Sequence, residues 1–187
     1  MIYEVNIPAS IRTAFTDKVR AISAKYGFRP DWLMIVMRFE STINFNTGNH
    51  GNGATGLIGF RENTAATLKT TQAVLAAMSR VQQLDYVDKY LAFWKAGEKV
   101  NSLTDLYMIV FLPAKAGLPD STVLFRSGSS GYSGNKAFDT DNKGYFTIGD
   151  VGAMIKRYAG NVPVVSQTTA YLLIFVLIIV YFYYHRK

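Results

Sequence analysis

Two runs of apolar residues organise the first 40 positions of the chain. In residues 10–26 the apolar side chains recur at spacings of three and four, which predicts an amphipathic helix that ends at Gly27. Pro30 then begins a second segment, Asp31–Glu40, in which apolar residues occupy nearly every side. A helix of this kind is predicted to run through the centre of the fold, and it would carry Glu40 to the edge of the core.

The pattern after Glu40 predicts one long loop and several further helices. Residues Ser41–Gly56 are rich in Gly and Asn and contain neither Asp nor Glu, so we expect a carboxylate-free loop. Residues Gly117–Tyr145 are rich in Gly, Ser and Asp and are predicted to form an extended surface loop. The helices predicted between and after these loops are Asn63–Leu68, Thr71–Tyr90 with a break near Leu84, Leu103–Leu112 and Ile148–Tyr158. The predicted body is mainly α.

The C-terminal segment predicts a membrane anchor. Residues Val162–Tyr184 carry no charge, and at about 1.5 Å per residue a helix of this length crosses a hydrocarbon core of about 30 Å. A buried helix that is apolar on every side is the alternative, but it needs a larger protein around it. The terminal cations Arg186 and Lys187 predict that the tail stays on the cytoplasmic or inner side. We therefore expect a domain over residues 1–161 on the outer side of a membrane and an anchor over residues 162–187.

The overall charge restricts the classes of binding partner that the sequence favours. The chain of 187 residues has a net charge of +7, which favours anionic surfaces such as lipid headgroups and the bacterial cell wall. Its Lys and Arg residues are scattered instead of forming a basic stripe, so we do not expect nucleic-acid binding.

The absence of cysteine excludes disulfides, thiolate metal sites and a Cys nucleophile. No cofactor is expected.

Glu40 is the candidate catalytic residue. At the C-terminal end of an apolar helix, desolvation and the negative end of the helix dipole both disfavour the ionised carboxylate. A carboxyl group that keeps its proton near neutral pH can donate it to the oxygen of a glycosidic bond. The alternative is an ordinary glutamate at a helix end that points into water.

The sequence around Glu40 resembles that of the lytic transglycosylase and goose-type lysozyme superfamily. Glu40-Ser41 ends the apolar helix, a polar loop follows, and the segment Gly53-Ala-Thr-Gly-Leu-Ile-Gly-Phe60 precedes a Thr-Ala helix at residues 62–68. The resemblance implies a lysozyme-like helical domain that binds peptidoglycan glycan strands, with Glu40 as the catalytic acid/base and Ser41 as a helper at the cleft. The positions that it assigns to the border of the sugar are Gly56, Leu57, Ile58 and Phe60.

Two further features belong to the resemblance. Gly59 stands where the family usually has Gln, which predicts that a side-chain hydrogen bond to the substrate is missing or supplied elsewhere. The family also has a Tyr that reaches the catalytic Glu, and Tyr107 is the candidate here, with a core position as the alternative. The segment around Tyr107 is similar to segments of phage cell-wall enzymes, which implies a phage origin, a virion membrane and other virion proteins as partners.

The sequence leaves the reaction and its rivals open. A hydrolytic lysozyme needs a second carboxylate roughly 5–9.5 Å from the acid, and none lies between Glu40 and Glu62. The expected reaction is therefore that of a lytic transglycosylase, in which the sugar's own 6-hydroxyl attacks, unless Asp105 or another distant acid folds back. One alternative to an enzyme is a lysozyme-like structural protein without catalytic turnover, which Gly59 supports. Another alternative is a pore-forming membrane protein.

A second cluster of acidic residues resembles a calcium-binding EF-hand loop. Asp139, Asp141 and Asp150 occupy ligand positions of that loop, and Gly144 stands at its sixth place. Lys143, however, places a cation where a ligand oxygen belongs. We therefore expect a calcium-free turn in which contacts between Asp141 and Lys143 replace the ion.

Overall fold

The computed structural model describes residues 1–160, and these residues form a mainly helical fold. The predicted anchor at residues 162–187 lies outside the described residues. Within the described part of the chain, no helix has the length and the apolar character needed to cross a bilayer.

The first two helices form where the apolar pattern predicts them. After a short 3-10 turn, Glu4–Asn6, helix α1 spans Ala9–Tyr26 and helix α2 spans Pro30–Ser41. Gly27 ends α1 with a φ of 75°, a left-handed conformation that glycine adopts without steric cost. The two helices pack against each other, which sets the direction of α2 through the molecule.

Helix α2 is the central helix, as predicted. Every side chain from Leu33 to Met37 is at most 2% exposed, so this helix is buried on all sides over that stretch. Burial of each such side chain contributes roughly 1.5–3 kcal/mol relative to exposure. The core therefore fixes α2 strongly and holds its last turn, which carries Glu40, in one place.

The middle of the chain contains four helices, of which the third is the longest. They are α3 at Glu62–Thr67, α4 at Gln72–Ala76, α5 at Arg80–Phe93 and α6 at Ala96–Lys99. The predicted break near Leu84 is wrong, because the chain breaks at residues 77–79 instead. Ser79 and Gln82 form a reciprocal capping box that begins α5, and Leu84 lies fully buried inside that helix.

Two later helices complete the packing around α2. Helix α7 spans Leu103–Phe111 and ends before the 3-10 turn Pro113–Lys115, as the proline predicts. Helix α9 spans Ile148–Arg157 and packs on α7, and both of these helices contact α2. The end of α2 is therefore enclosed by α7 on one side and by the loop after residue 41 on the other.

The prediction of an extended loop over residues 117–145 is wrong in part. Strands β1, Val123–Arg126, and β2, Tyr145–Thr147, pair antiparallel with an irregularity between Val123 and Phe125. The helix α8, Ser130–Gly134, and a 3-10 turn, Lys136–Phe138, lie between the two strands. Phe146 is fully buried among other aromatic rings, so aromatic packing orders a segment whose Gly, Ser and Asp content predicts a loop.

Candidate active site

Glu40 lies on the last turn of α2, where the helix changes into the long loop. Ser41 ends the helix, and its hydroxyl donates a hydrogen bond to the Met37 carbonyl at 2.5 Å. The next residue, Thr42, has a φ of 70°, so the chain turns sharply away from the helix axis. The amide of Asn46 then returns to bind the Ser41 carbonyl at 3.0 Å. This turn begins the long loop directly after Glu40.

Burial changes the acidity of Glu40. Desolvation raises the pKa of its carboxyl group to about 7, while hydrogen bonding with Tyr107 and the charge of Arg61 act in the opposite direction. Glu40 as a whole residue is partly exposed at the end of α2. A group with these properties exchanges a proton near neutral pH, which is the property that a general acid/base requires.

Tyr107 approaches Glu40 from α7. Its side chain is 2% exposed and packs edge-on against Phe39, with ring centroids 5.1 Å apart. Burial and then the negative charge and hydrogen bonding of Glu40 raise the pKa of the Tyr107 hydroxyl, so it stays protonated. The two interpretations of Tyr107 in the sequence are therefore both compatible with its position, because it belongs to the core and also meets the carboxyl group.

Two residues near Glu40 have no motif that identifies them in the sequence. Tyr90, on α5, donates a hydrogen bond to the Ile109 carbonyl at 2.8 Å, and burial followed by the charge of Glu40 raises its pKa. Arg61, just before α3, lowers the pKa of Glu40 through its charge and donates to the Asn52 carbonyl at 2.6 Å. Tyr90 and Arg61 are 50 and 21 residues from Glu40 in the sequence, so only the tertiary fold brings them near it.

Gly59 provides the space that the Glu40 carboxyl group occupies. A Cβ atom at position 59 would lie 2.6 Å from Glu40 Oε2, closer than real Cβ contacts allow. The φ of Gly59 is 65°, which also disfavours a side chain. Any side chain at position 59 would therefore compete with Glu40 for the same volume.

The remaining predicted substrate-binding residues lie in the core. Their side chains are between 0% and 4% exposed in Ser41, Leu57, Ile58 and Phe60. Gly56 has a φ of 82°, and a Cβ atom there would lie 2.5 Å from Gln83 Oε1. These positions therefore offer almost no accessible surface to a sugar, and their assigned role in substrate binding stays a prediction.

Side chains from α4 and α5 hold the loop in front of Glu40. Gln83 is fully buried, accepts a hydrogen bond from the Leu57 amide at 2.6 Å and donates to the Thr47 carbonyl at 3.1 Å. Gln72 donates to the Phe60 carbonyl at 2.8 Å, and Arg80 donates to the Phe45 carbonyl at 3.0 Å. Neutral amides therefore supply much of the polar support of this loop.

A small pocket lies beside Tyr90, and Glu40 is not among its lining residues. Its volume is about 200 Å³, and the residues that line it are all uncharged: Asn63, Thr64, Thr67, Leu68, Tyr90, Phe93 and Trp94. Phe93 is 54% exposed and meets Trp94 edge-on, with ring centroids 5.1 Å apart. Exposed aromatic rings beside hydroxyl and amide groups match a ligand that has both an apolar face and hydroxyl groups.

The acidic cluster around Asp139 is a hydrogen-bonded turn. Asp139 accepts hydrogen bonds from the Tyr132 hydroxyl at 2.6 Å and from the amides of Lys143 and Gly144 at 3.0 and 2.9 Å. The Lys143 ammonium lies 3.3 Å from Asp141 and 2.9 Å from Asp150. The contact with Asp141 is the one that the sequence predicts. Over residues 1–160, no group of three or more potential ligands is arranged to hold a metal ion.

The comparisons with known proteins give no relative. The chain matches no protein-family model, no curated protein and no solved structure.

Proposed function

We propose that this protein is a lytic transglycosylase that cleaves peptidoglycan glycan strands with Glu40 as its acid/base. The observation that carries the proposal is the state of the Glu40 carboxyl group, whose desolvation in the fold raises its pKa to about 7. The resemblance at residues 32–68 supports the same assignment.

The chemistry needs one group that first gives and then takes a proton. Protonated Glu40 donates to the glycosidic oxygen between N-acetylmuramic acid and N-acetylglucosamine, and the bond from the anomeric carbon to that oxygen breaks. The resulting carboxylate then accepts the proton of the 6-hydroxyl of the same muramic residue, whose oxygen bonds to the anomeric carbon. With a pKa of about 7, both forms of Glu40 are accessible near neutral pH.

The surroundings of Glu40 favour a single-carboxylate reaction. The charged and hydrogen-bonding groups that shift its pKa are Tyr107 and Arg61, neither of which is a carboxylate. Asp105 accepts hydrogen bonds from the Asn101 amide at 3.0 Å and the Ser102 hydroxyl at 2.9 Å, so it caps the beginning of α7. This engagement argues against Asp105 as the second carboxylate of a hydrolase.

The uncharged pocket beside Tyr90 supports a glycan as the substrate. Its volume lies below the roughly 300–1,000 Å³ of pockets that enclose a drug-sized ligand, so it suits one sugar ring or its acetamido group. Trp94 and Phe93 offer faces against which the C–H groups of a sugar pack, and Asn63 and Thr64 offer hydrogen bonds. The place of action that we propose is the outer side of a membrane, held by residues 162–184.

The test combines digestion of purified peptidoglycan with mass spectrometry of the products. We expect 1,6-anhydromuramic ends, and we expect Glu40→Gln to lose about 10²–10⁴-fold of the activity because the proton donor is gone. Glu62→Gln is the matched control, since Glu62 is exposed and begins the neighbouring helix. Activity should also fall as the pH rises through about 7, where Glu40 loses its proton.

The possible results separate the proposal from its rivals. Reducing ends in place of anhydro ends would identify a hydrolytic lysozyme. Equal activity of the wild type and Glu40→Gln would contradict the assignment of the acid/base. No cleavage by the wild type would instead favour a structural protein with the same fold.

A further inference from the structure

A second groove lies at the opposite end of α2 from Glu40. Its volume is about 280 Å³, and its floor is formed by the apolar side chains of Ile2, Trp32, Ile35 and Leu103. These residues come from the N-terminal segment, the first turns of α2 and the beginning of α7. The groove is separate from the pocket beside Tyr90, with which it shares no lining residue.

The rim of the groove carries an excess of positive charge. Arg29 lies 3.6 Å from Asp31, and Asp31 also accepts a hydrogen bond from the Ile2 amide at 2.8 Å, so these two charges compensate each other. Lys156 also lines the groove and is exposed, as is its neighbour Arg157. Over residues 1–160, neither Lys156 nor Arg157 forms a salt bridge, so this side of the rim attracts anions.

The groove adjoins the point at which the described chain ends. Ala159 is one of its lining residues, and the uncharged segment expected to enter a bilayer begins at residue 162. The N-terminal segment that supplies Ile2 also carries Val5, which is 76% exposed. If residues 162–184 are anchored in a membrane, this end of the domain is the part that meets the lipid surface.

We propose that this groove binds an anionic phospholipid, with an acyl chain over Trp32 and Leu103 and the phosphate at Lys156. An apolar floor beside an uncompensated cation matches a molecule that joins an acyl chain to a negative headgroup. The small volume suits one segment of an acyl chain. The proposal is independent of the cleavage activity, because it uses neither Glu40 nor the pocket beside Tyr90. Its consequence is a fixed orientation of the domain on an anionic bilayer.

Trp32 provides a direct probe of the groove. The chain has two tryptophans, so Trp94→Phe leaves Trp32 as the single fluorophore in the full-length protein. The protein is reconstituted in phosphatidylcholine vesicles with a rising fraction of phosphatidylglycerol, and the acyl chains of one lipid at a time are brominated close to the headgroup. We expect brominated phosphatidylglycerol to quench Trp32 at a low fraction of that lipid, and brominated phosphatidylcholine to quench it weakly.

A matched pair of lysine variants tests the role of the rim. Lys156→Met should raise the phosphatidylglycerol fraction needed for half-maximal quenching by about fivefold, the effect expected for one cation at an anionic membrane surface. Lys115→Met removes an equally exposed charge beyond the far end of α7 and should leave the titration unchanged.

Three results would overturn the lipid assignment. Equal quenching by the two brominated lipids would mean that the groove does not select anionic lipid. Equal effects of the two lysine variants would assign the attraction to the general charge of the domain. A change in Trp32 emission that follows protein concentration without brominated lipid would identify a second copy of the chain as the occupant.

Discussion

Glu40 and Asp139 are both acidic residues in contact with a tyrosine, yet the protein shifts their acidities in opposite directions. Glu40 meets Tyr107, and desolvation dominates, so its pKa rises to about 7. Asp139 meets Tyr132 and two backbone amides, and these donors lower its pKa despite the opposing effect of burial. The difference follows from the balance between desolvation and the donors around each carboxylate, and not from the type of the partner residue.

Asp150 supports the same conclusion within the acidic turn. Burial alone would raise its pKa, but hydrogen bonds from Lys143 and Thr147 outweigh that effect and leave the pKa lowered. Glu40 has Tyr107 and the more distant charge of Arg61 as its compensating groups, and these do not offset desolvation. The ionised form of Glu40 therefore lowers the stability of the fold, whereas the ionised carboxylates of the acidic turn raise it. This difference predicts opposite effects of pH on the two regions.

The largest expected effect is a gain of stability in Glu40→Gln at alkaline pH. The folded-state pKa of Glu40 is above the ordinary glutamate value of 4.5, so native stability falls as the pH rises from about 4.5 through about 7. Glutamine does not titrate, and the variant should exceed the wild type by about 3 kcal/mol in free energy of unfolding at pH 8. Urea unfolding at pH 4 and pH 8 measures this difference. An equal difference at both pH values would show that burial does not destabilise the Glu40 anion.

The support of the loop beside Glu40 should be independent of pH. Gln83 is neutral and buried, and Gln83→Met leaves the Leu57 amide and the Thr47 carbonyl without their partner. We expect the free energy of unfolding to fall by about 1–3 kcal/mol, by the same amount at pH 5 and pH 8. A loss that grows with pH would mean that Gln83 acts through the ionisation of Glu40, and the separation of the two roles would be wrong.

A substitution at Gly59 extends the comparison from stability to catalytic activity. Gly59→Ala places a Cβ atom against Glu40 Oε2, so the carboxyl group must move, and we expect kcat to fall by about tenfold or more. Gly51→Ala is the control, because Gly51 has a similar φ of 79° but no atom within 4 Å of the added Cβ. Turnover and its pH profile are measured for both variants. Similar losses in the two would assign the effect to backbone strain and not to Glu40.

The sequence predicts the acid and the helix that carries it, but little of what surrounds that acid. The apolar run before Glu40 is a local pattern, so a central helix and a raised pKa follow from it without knowledge of the fold. Tyr90, Arg61 and Gln83 act across contacts between distant parts of the chain, and no local pattern distinguishes them from other polar residues. Their positions depend on how α3 and α5 pack, which is a property of the whole core.

In the acidic turn and its flanking strands, the sequence predicts a side-chain contact but not the secondary structure. The spacing of its Asp residues and Lys143 correctly predicts a contact between Asp141 and Lys143. The strands on either side were predicted as loop, since Gly, Ser and Asp dominate the composition of residues 117–145. The order there comes from Phe146 and its aromatic neighbours, whose contacts are not periodic in the sequence. Aromatic residues inside a polar segment are therefore the signal that composition alone obscures.

The smallest expected effect is at Asp139, and its sign is opposite to that of Glu40. Asp139→Asn replaces one of two acceptor oxygens, either Oδ2, which binds the Tyr132 hydroxyl and the Gly144 amide, or Oδ1, which binds the Lys143 amide, so we expect a lower Tm at neutral pH. Because the pKa of Asp139 is lowered from 3.8, its contribution is present above about pH 4 and is lost as the pH falls through the lowered value. The Tm difference between wild type and variant should therefore shrink in acid. Asp141→Asn is the control in the same turn, where a 62% exposed side chain predicts almost no change at either pH. If the two variants behave alike, the hydrogen bonds to Asp139 do not stabilise the anion, and the contrast with Glu40 reduces to desolvation alone.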